Sequence, residues 1–304
     1  MTCNCNLERV LKEHKFAVTA EIGPPKGANP QSIIEKAAIV KDFADAFNMT
    51  DNQTAVVRLS SLAGSRILID QGLEPILQVT CRDRNRIALQ SDILGAAALG
   101  ITNVLCLTGD HQSFGNHPQA KGVYDIDSLQ LLQMYKTMRD EALFQNGEPI
   151  KKGTPHLFLG AASNPFAEPV DYRVARLEKK IQAGAQFIQT QSVFNLERFH
   201  TWMDDIRAQG LDKKVYLLAG ITPLKSVRMM ERMKYHVPGV DVPNEIEQRM
   251  QNATDPQQEG YQIALEILKS LQKIKGLSGV HITALFWESI IPQLVNEAGL
   301  SPRP

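Results

Sequence analysis

Glu21 stands in the stretch AEIGPPKG, a carboxylate among apolar neighbours just ahead of a Gly-Pro-Pro turn that neither a helix nor a sheet ladder can continue. Desolvation at such a place raises a carboxyl pKa, so the group could donate a proton at neutral pH; the competing reading is a strand-end Glu paired with Lys or Arg. Asp110 follows Gly109 at the end of the apolar run NVLCL, either as a charge beside a ligand or as the cap of a turn. Thr50, Asp51 and Asn52 close another such run, Gln78, Thr80, Cys81 and Arg82 a third, Ala162 with Asn164 a fourth, and Gln191 a fifth. Side-chain amides offer both donor and acceptor, which suits a heterocycle whose edge alternates the two. Consecutive apolar runs that all close on polar groups imply a rim built for a polar ring.

The elements that must position these residues are legible as a pattern. Eight short β-rich runs fall at residues 16–22, 46–50, 75–81, 103–108, 156–162, 187–193, 214–221 and 280–286. Between them, apolar residues recur at helical spacing over 33–43, 65–71, 87–99, 128–143, 172–183, 196–208, 226–234 and 261–274. Nearly continuous apolar strands such as NVLCL and KVYLLAGI suit a parallel sheet covered on both faces, and eight strand–helix repeats favour a closed (β/α)8 TIM barrel. A doubly wound sheet is the alternative, but no GxGxxG follows any strand. The reading is therefore one α/β domain over residues 1–304, with a short, mobile lead-in at 1–14. The longest polar loops, 111–125 and 239–258, are placed to shape a site. In a barrel the site forms where strands end at their C-termini, which is where the polar residues lie.

Composition narrows the function. The 304 residues carry 33 Lys+Arg against 33 Asp+Glu with 6% aromatics, so no concentrated positive field is available for a nucleic-acid partner. No apolar stretch approaches the roughly 20 residues of a membrane span. The amino-terminal residues lack a signal-peptide core and the 4 cysteines form no disulfide framework, which places the protein in the cytoplasm. Cys3 and Cys5 form a CxC without a second Cys/His pair, and no metal site is assigned; Cys81 and Cys106 read as small buried hydrophobes. His111 and His117 fit no common ligand spacing, and Met229, Met230 and Met233 with Val227 read as core or as a partner-facing patch.

AEIGPP around Glu21, NVLCLTGD ending on Asp110, and KKIQAGAQFIQTQSVFN around Gln191, in this order, resemble the 5,10-methylenetetrahydrofolate reductase family over roughly residues 16–298. The resemblance implies a flavin-dependent (β/α)8 barrel that reduces 5,10-methylenetetrahydrofolate to 5-methyltetrahydrofolate. It implies that Glu21 is the general acid that opens the imidazolidine ring, that Asp110 lies between flavin and pterin, and that Gln191 hydrogen-bonds the pterin. Thr50, Thr80, Ala162, Asn164 and Ala185 then fall where the family contacts flavin, FAD by family habit or else FMN, and Lys180 matches a phosphate-contacting lysine. Gln78 stands where the bacterial enzymes carry His, Thr108 where Arg is common, Ala162 where Tyr is common, Val227 where Phe covers substrate, and Arg173 near a ribose-contacting acidic position. These departures touch flavin packing and the nicotinamide surface, and so leave the donor open between NAD(P)H and a reduced electron-transfer partner. The ending GVHITALFWESIIPQLVNEAGL resembles the acetogen-type form, which implies a zinc- or iron–sulfur-containing partner subunit and the methyl branch of acetyl-CoA synthesis. Two other functions are weighed: a flavin-free pterin-binding methyltransferase barrel, and a flavin-binding electron-transfer subunit of a larger complex.

Overall fold

A computed structural model describes residues 5–303. Eight parallel strands close in chain order into a barrel: β1 (Ala17–Ile22), β2 (Ala46–Met49), β3 (Pro75–Thr80), β4 (Asn103–Leu107), β5 (Phe158–Ser163), β6 (Phe187–Ser192), β7 (Tyr216–Ile221) and β8 (Gly279–Ile282). Each expected strand is present, and the last is shorter than its apolar run because the chain leaves the ladder after Ile282, reaching a left-handed φ of 55° at Phe286. The (β/α)8 barrel expected from the strand–helix alternation is the fold observed.

Helices α1 (Asn6–Lys12), α2 (Gln31–Val40), α3 (Ser61–Asp70), α4 (Arg86–Ala98), α5 (Ser128–Asp140), α6 (Tyr172–Ala183), α7 (Leu196–Ala208), α8 (Val227–His236), α9 (Asn244–Asn252), α10 (Pro256–Leu271) and α11 (Ile291–Glu297) surround the strands. Side-chain caps start several of them: Asp127 accepts from the backbone of Leu129 and Gln130, and Asp255 from Gln257 and Gln258. Three helices were not expected. In α1, Leu7, Val10 and Leu11 are buried, so this part of the lead-in packs beneath the barrel. In α9, which lies within the expected polar loop 239–258, only Ile246 and Met250 are buried, a seam too narrow to stand out in sequence.

Inside the barrel, alternate strand residues stack in layers. At the bottom Ala17, Ala46, Ile76, Leu105, Phe158, Phe187 and Leu218 pack with Leu7, Val10 and Leu11 of α1, an apolar plug that closes the N-terminal end. The rings of Phe158 and Phe187 stack at 5.1 Å between centroids, and the space is available because residue 160 is glycine: a Cβ there would lie 2.2 Å from the Phe187 ring. Above the plug the interior turns polar. Asn48 and Gln189 exchange hydrogen bonds of 2.6 and 3.0 Å, Gln189 also donates to Thr19 at 3.2 Å, and Thr19 Oγ1 lies 3.0 Å from His281 Nδ1. Burial holds His281 down to about 4, so its ring is neutral.

Gly160→Ala should destabilise the protein by about 1–3 kcal/mol, because the methyl meets a ring locked in a stack and cannot be relieved by a flexible chain end. Urea unfolding of the two proteins measures the difference.

Candidate active site

Over the polar layer the barrel opens into a cavity of about 1120 Å³ at the C-terminal ends of the strands. Glu21, Thr50, Ala162, Asn164, Lys180 and Gln191, six of the residues singled out from the sequence, line it. Thr80, Asp110 and Ala185 do not. Thr80 donates its N–H and its hydroxyl to Asp51 Oδ2, both at 2.9 Å, and Arg84 grips the same carboxylate at 2.7 and 3.1 Å. Thr80 is thus half of a buried staple joining the ends of β2 and β3. Ala185 is buried just before β6 begins, its N–H bonded to Lys180 O, at the opposite end of the strand from the cavity.

Asp110 is exposed beyond the end of β4, and its Oδ2 accepts the Thr54 N–H at 3.1 Å. The turn it braces is strained, with Asn52, Thr54 and Ala55 all at left-handed φ of 43°, 57° and 55°. Gln53 and Thr54 of that turn line the cavity, so Asp110 shapes the wall from behind. Asp51, Arg84 and this bracing contact join residues from separate loops.

Glu21 opens into the cavity, yet its carboxyl is raised to about 7, first by desolvation and then by the charge of Glu288; Lys36 and Arg58 act in the opposite direction. Lys180 reaches from α6 to the Ala162 carbonyl, and burial, with Arg176 nearby, holds its amine down to about 8. Gln78 and Gln191 line the cavity, and neither side chain hydrogen-bonds another described residue. Asn164 lines it too, fixed by accepting from Phe166 N–H at 2.9 Å and seated on Gly239, where a Cβ would lie 1.7 Å from its amide nitrogen.

Gln191 is aimed by a feature the sequence did not disclose. The β6–β7 pairing shifts register between Gln189 and Ser192, a bulge of the kind that redirects side chains beside functional sites. Thr190 Oγ1 accepts the Gly220 N–H at 2.9 Å and donates to the Gln191 carbonyl at 2.8 Å, bridging the gap in the ladder. Gly220 is needed there, because a Cβ would lie 2.5 Å from Thr190 O.

The charges of the wall come from residues that are scattered in sequence. Lys26, Arg58, Lys180, Lys225, Arg228 and Arg232 line the cavity, against a single carboxylate, Glu21. Arg58 Nη1 donates to Pro24 O at 3.1 Å, but its buried Nε has no partner. An electrically neutral chain thus builds a strongly positive cavity. Such a site accepts an anionic ligand, and its amides suit the edge of a polar heterocycle. A flavin nucleotide fits this donor set: cations and the orphaned Arg58 Nε for phosphate, and Gln78, Asn164 and Gln191 for ring edges.

The remaining candidate residues lie in simpler surroundings. Met229 and Met233 line the cavity while Met230 is core. Thr108 accepts from Ser128 N–H, and Arg173 is buried against Ala167 O and Glu168, both away from the cavity. Cys5 Sγ donates to Asn103 Oδ1 at 3.1 Å, and Cys3 lies outside the described residues. Burial pushes the Cys81 thiol up to about 12 and Cys106 well above its usual value, so both stay protonated. Among the described residues no helix is long and apolar enough to cross a membrane.

Fold and site together define a (β/α)8 barrel with a cationic, amide-lined ligand cavity at its C-terminal rim and one carboxyl poised near neutrality within it. The chain belongs to the methylenetetrahydrofolate reductase family, whose model matches residues 6–299. It is 24% identical to a 5,10-methylenetetrahydrofolate reductase of Pectobacterium carotovorum, over 76% of this chain and 72% of that protein. It is also 24% identical to methylenetetrahydrofolate reductase 2 of Schizosaccharomyces pombe, over 74% of this chain and 35% of the relative. The chain spans 27–44% of the length of the nematode and yeast relatives it matches. Among solved structures, a Clostridium thermocellum protein described as binding two copies of 5-methyl-5,6,7,8-tetrahydrofolic acid shares the fold at a TM-score of 0.64 and 15% identity, covering 96% of this chain and 97% of that one.

Thr190→Val keeps the shape but strands the Gly220 N–H and the Gln191 carbonyl, which should destabilise the protein by about 1–3 kcal/mol. Chemical denaturation measures the loss, and a variant as stable as the parent would show that the hydroxyl bridge contributes nothing.

Proposed function

We propose that this chain reduces 5,10-methylenetetrahydrofolate to 5-methyltetrahydrofolate with a bound flavin. The observation that carries the reading is Glu21: a carboxyl at the end of β1, open to a cationic, amide-lined cavity and raised to about 7. A group of that affinity is protonated often enough at neutral pH to act as an acid and strong enough to give its proton up. Glu21 donates to the folate nitrogen that leaves as the imidazolidine ring opens, which makes the methylene carbon electrophilic. A flavin bound alongside supplies the hydride that this carbon accepts. Gln191 holds the pterin edge, with Gln189 beneath it as part of the floor. Lys180 and the arginines of α8 bind the anionic ends of cofactor and substrate, and Thr50, Ala162 and Asn164 border the cofactor.

Asp110, Thr80 and Ala185 take other parts in this reading. Asp110 acts by bracing the 52–55 turn, and its charge stands near enough to the cavity wall to act on a ring beside Thr54. Thr80 fixes Asp51, and Ala185 belongs to the α6–β6 connection. As donor we propose a reduced iron–sulfur electron-transfer partner rather than NAD(P)H directly, any zinc in a partner subunit being structural and not the source of electrons. The resemblance of the 279–300 segment to the acetogen-type form supports this, as do Phe114 and Phe286, which line the cavity yet are 71% and 76% exposed. That assignment would place the reaction in the methyl branch of acetyl-CoA synthesis. The buried thiols of Cys81 and Cys106, held protonated, suit the reducing cytoplasm.

Glu21→Gln should lower folate reduction, driven by an artificial electron donor, by about 10²–10⁴-fold, the usual contribution of a positioned acid. Near-parental turnover in that variant would remove Glu21 from the acid role. In the parent, folate reduction should fall about tenfold per pH unit above about 7, as the carboxyl loses its proton. The same group governs stability in the opposite sense to a salt-bridged acid. Its folded affinity exceeds the ordinary value of 4.5, so stability is lost as pH rises from there through about 7. Glu21→Gln should therefore melt higher than the parent at pH above about 7 and lose that advantage below pH of about 4.5, a comparison thermal unfolding makes directly.

A further inference from the structure

Glu21 borders a second chamber as well. A cavity of about 460 Å³ lies behind it, walled by the Gly23–Pro24–Pro25 turn, by Ser32 and Lys36 of α2, and by the segment from Ala284 to Glu288. Within it Lys36 Nζ and Glu288 Oε1 form an ion pair at 2.6 Å, with side chains only 26% and 13% exposed. Neither group makes another hydrogen bond or ion pair to a described residue. The pair is held by backbone on both sides: α2 carries Lys36, and Glu288 opens the 3₁₀ turn Glu288–Ile290 that packs on α2.

An ion pair facing a cavity that also holds a carboxyl is not electrically silent toward it. We propose that Lys36 and Glu288 are positioning residues that set the charge of Glu21 from this rear chamber. The inference rests on the reading of Glu21 as the acid, and extends it to residues that touch neither substrate nor cofactor. Glu288 is the charge that most strongly opposes ionisation of Glu21, and Lys36 and Arg58 favour it. The remaining charged or titratable groups on the walls Glu21 shares are Lys26 at the end of the Gly-Pro-Pro turn, neutral His281 on β8, and Lys180, Lys225, Arg228 and Arg232 across the larger cavity. All the cations among them favour the carboxylate. Beside desolvation, Glu288 is thus the one negative charge among these groups that opposes ionisation of Glu21, and its ion pair with Lys36 holds it in place.

The two members of the pair must then act in opposite directions. Glu288→Gln removes the opposing charge and leaves Lys36 uncompensated, so Glu21 titrates at lower pH. Lys36→Met removes a cation that favours the Glu21 carboxylate and leaves Glu288 in the same chamber, so Glu21 titrates at higher pH. The test is a pH titration of the protein labelled with carbon-13 at the glutamate carboxyls, with the Glu21 resonance assigned by its loss in Glu21→Gln. Midpoint shifts of about one unit, down for Glu288→Gln and up for Lys36→Met, are expected, with the double variant returning close to the parent. Folate reduction at pH about 8 should follow, falling about tenfold in Glu288→Gln. If Lys36→Met fails to fold, Lys36→Gln removes the same charge with a polar side chain. Midpoints that stay put, or that both move the same way, overturn the proposal, since a pair that served only packing would not displace the titration in opposite senses. If the midpoints separate while no variant, nor the parent, reduces folate, the charge coupling stands and the folate reading fails.

Discussion

The reciprocal amide pair of Asn48 and Gln189 decides where the barrel interior is solid and where it is open. Below it lies an apolar plug closed by α1; above it no side chain fills the axis, and the space becomes the cavity. The pair can sit in the interior because each amide satisfies the other, with Thr19 and a neutral His281 taking up what remains. A buried amide left alone would cost about 1–3 kcal/mol, so the layer is stable as a set and fragile in its members. It gives a ligand a polar floor whose groups already hydrogen-bond one another.

Glu21 lines the cavity that opens above that floor. A carboxyl at a strand end would normally ionise in water or pair with a cation. Here burial disfavours its ionised form, the charge that acts on it most strongly is another carboxylate, Glu288, and the cations sit around the cavity at positions suited to an anionic ligand. The protein gives up some stability at neutral and higher pH to keep that carboxyl near its transition, a familiar exchange between stability and activity. The strained turn at 52–55, held from outside by Asp110, belongs to the same exchange.

Much of this was legible in the sequence, for physical reasons. Strands covered on both faces are dominated by apolar residues, so all eight announce themselves, and the ends of the runs mark the rim where Glu21, Thr50, Ala162, Asn164 and Gln191 gather. Thr80 shares the same type of position, yet a partner one strand away claims both its donors, and no pattern along the chain reveals Asp51 as that partner. The β6–β7 bulge depends on a hydroxyl bridging two strands, and the positive cavity depends on cations drawn from loops and from α6 and α8 of a chain with no net charge. Both arise only when the barrel closes. Helices α1 and α9 are not legible because each is short and buries only a few apolar residues rather than a broad face.

The central claim is that one cavity holds flavin and folate together, close enough for hydride to pass between them. Its most direct test is the visible spectrum of the protein, purified without oxygen, before and after addition of 5-methyltetrahydrofolate. Bleaching of the flavin band, as the methyl group returns its hydride, is the predicted result. A flavin-loaded protein whose spectrum is unmoved by saturating methyltetrahydrofolate would contradict it.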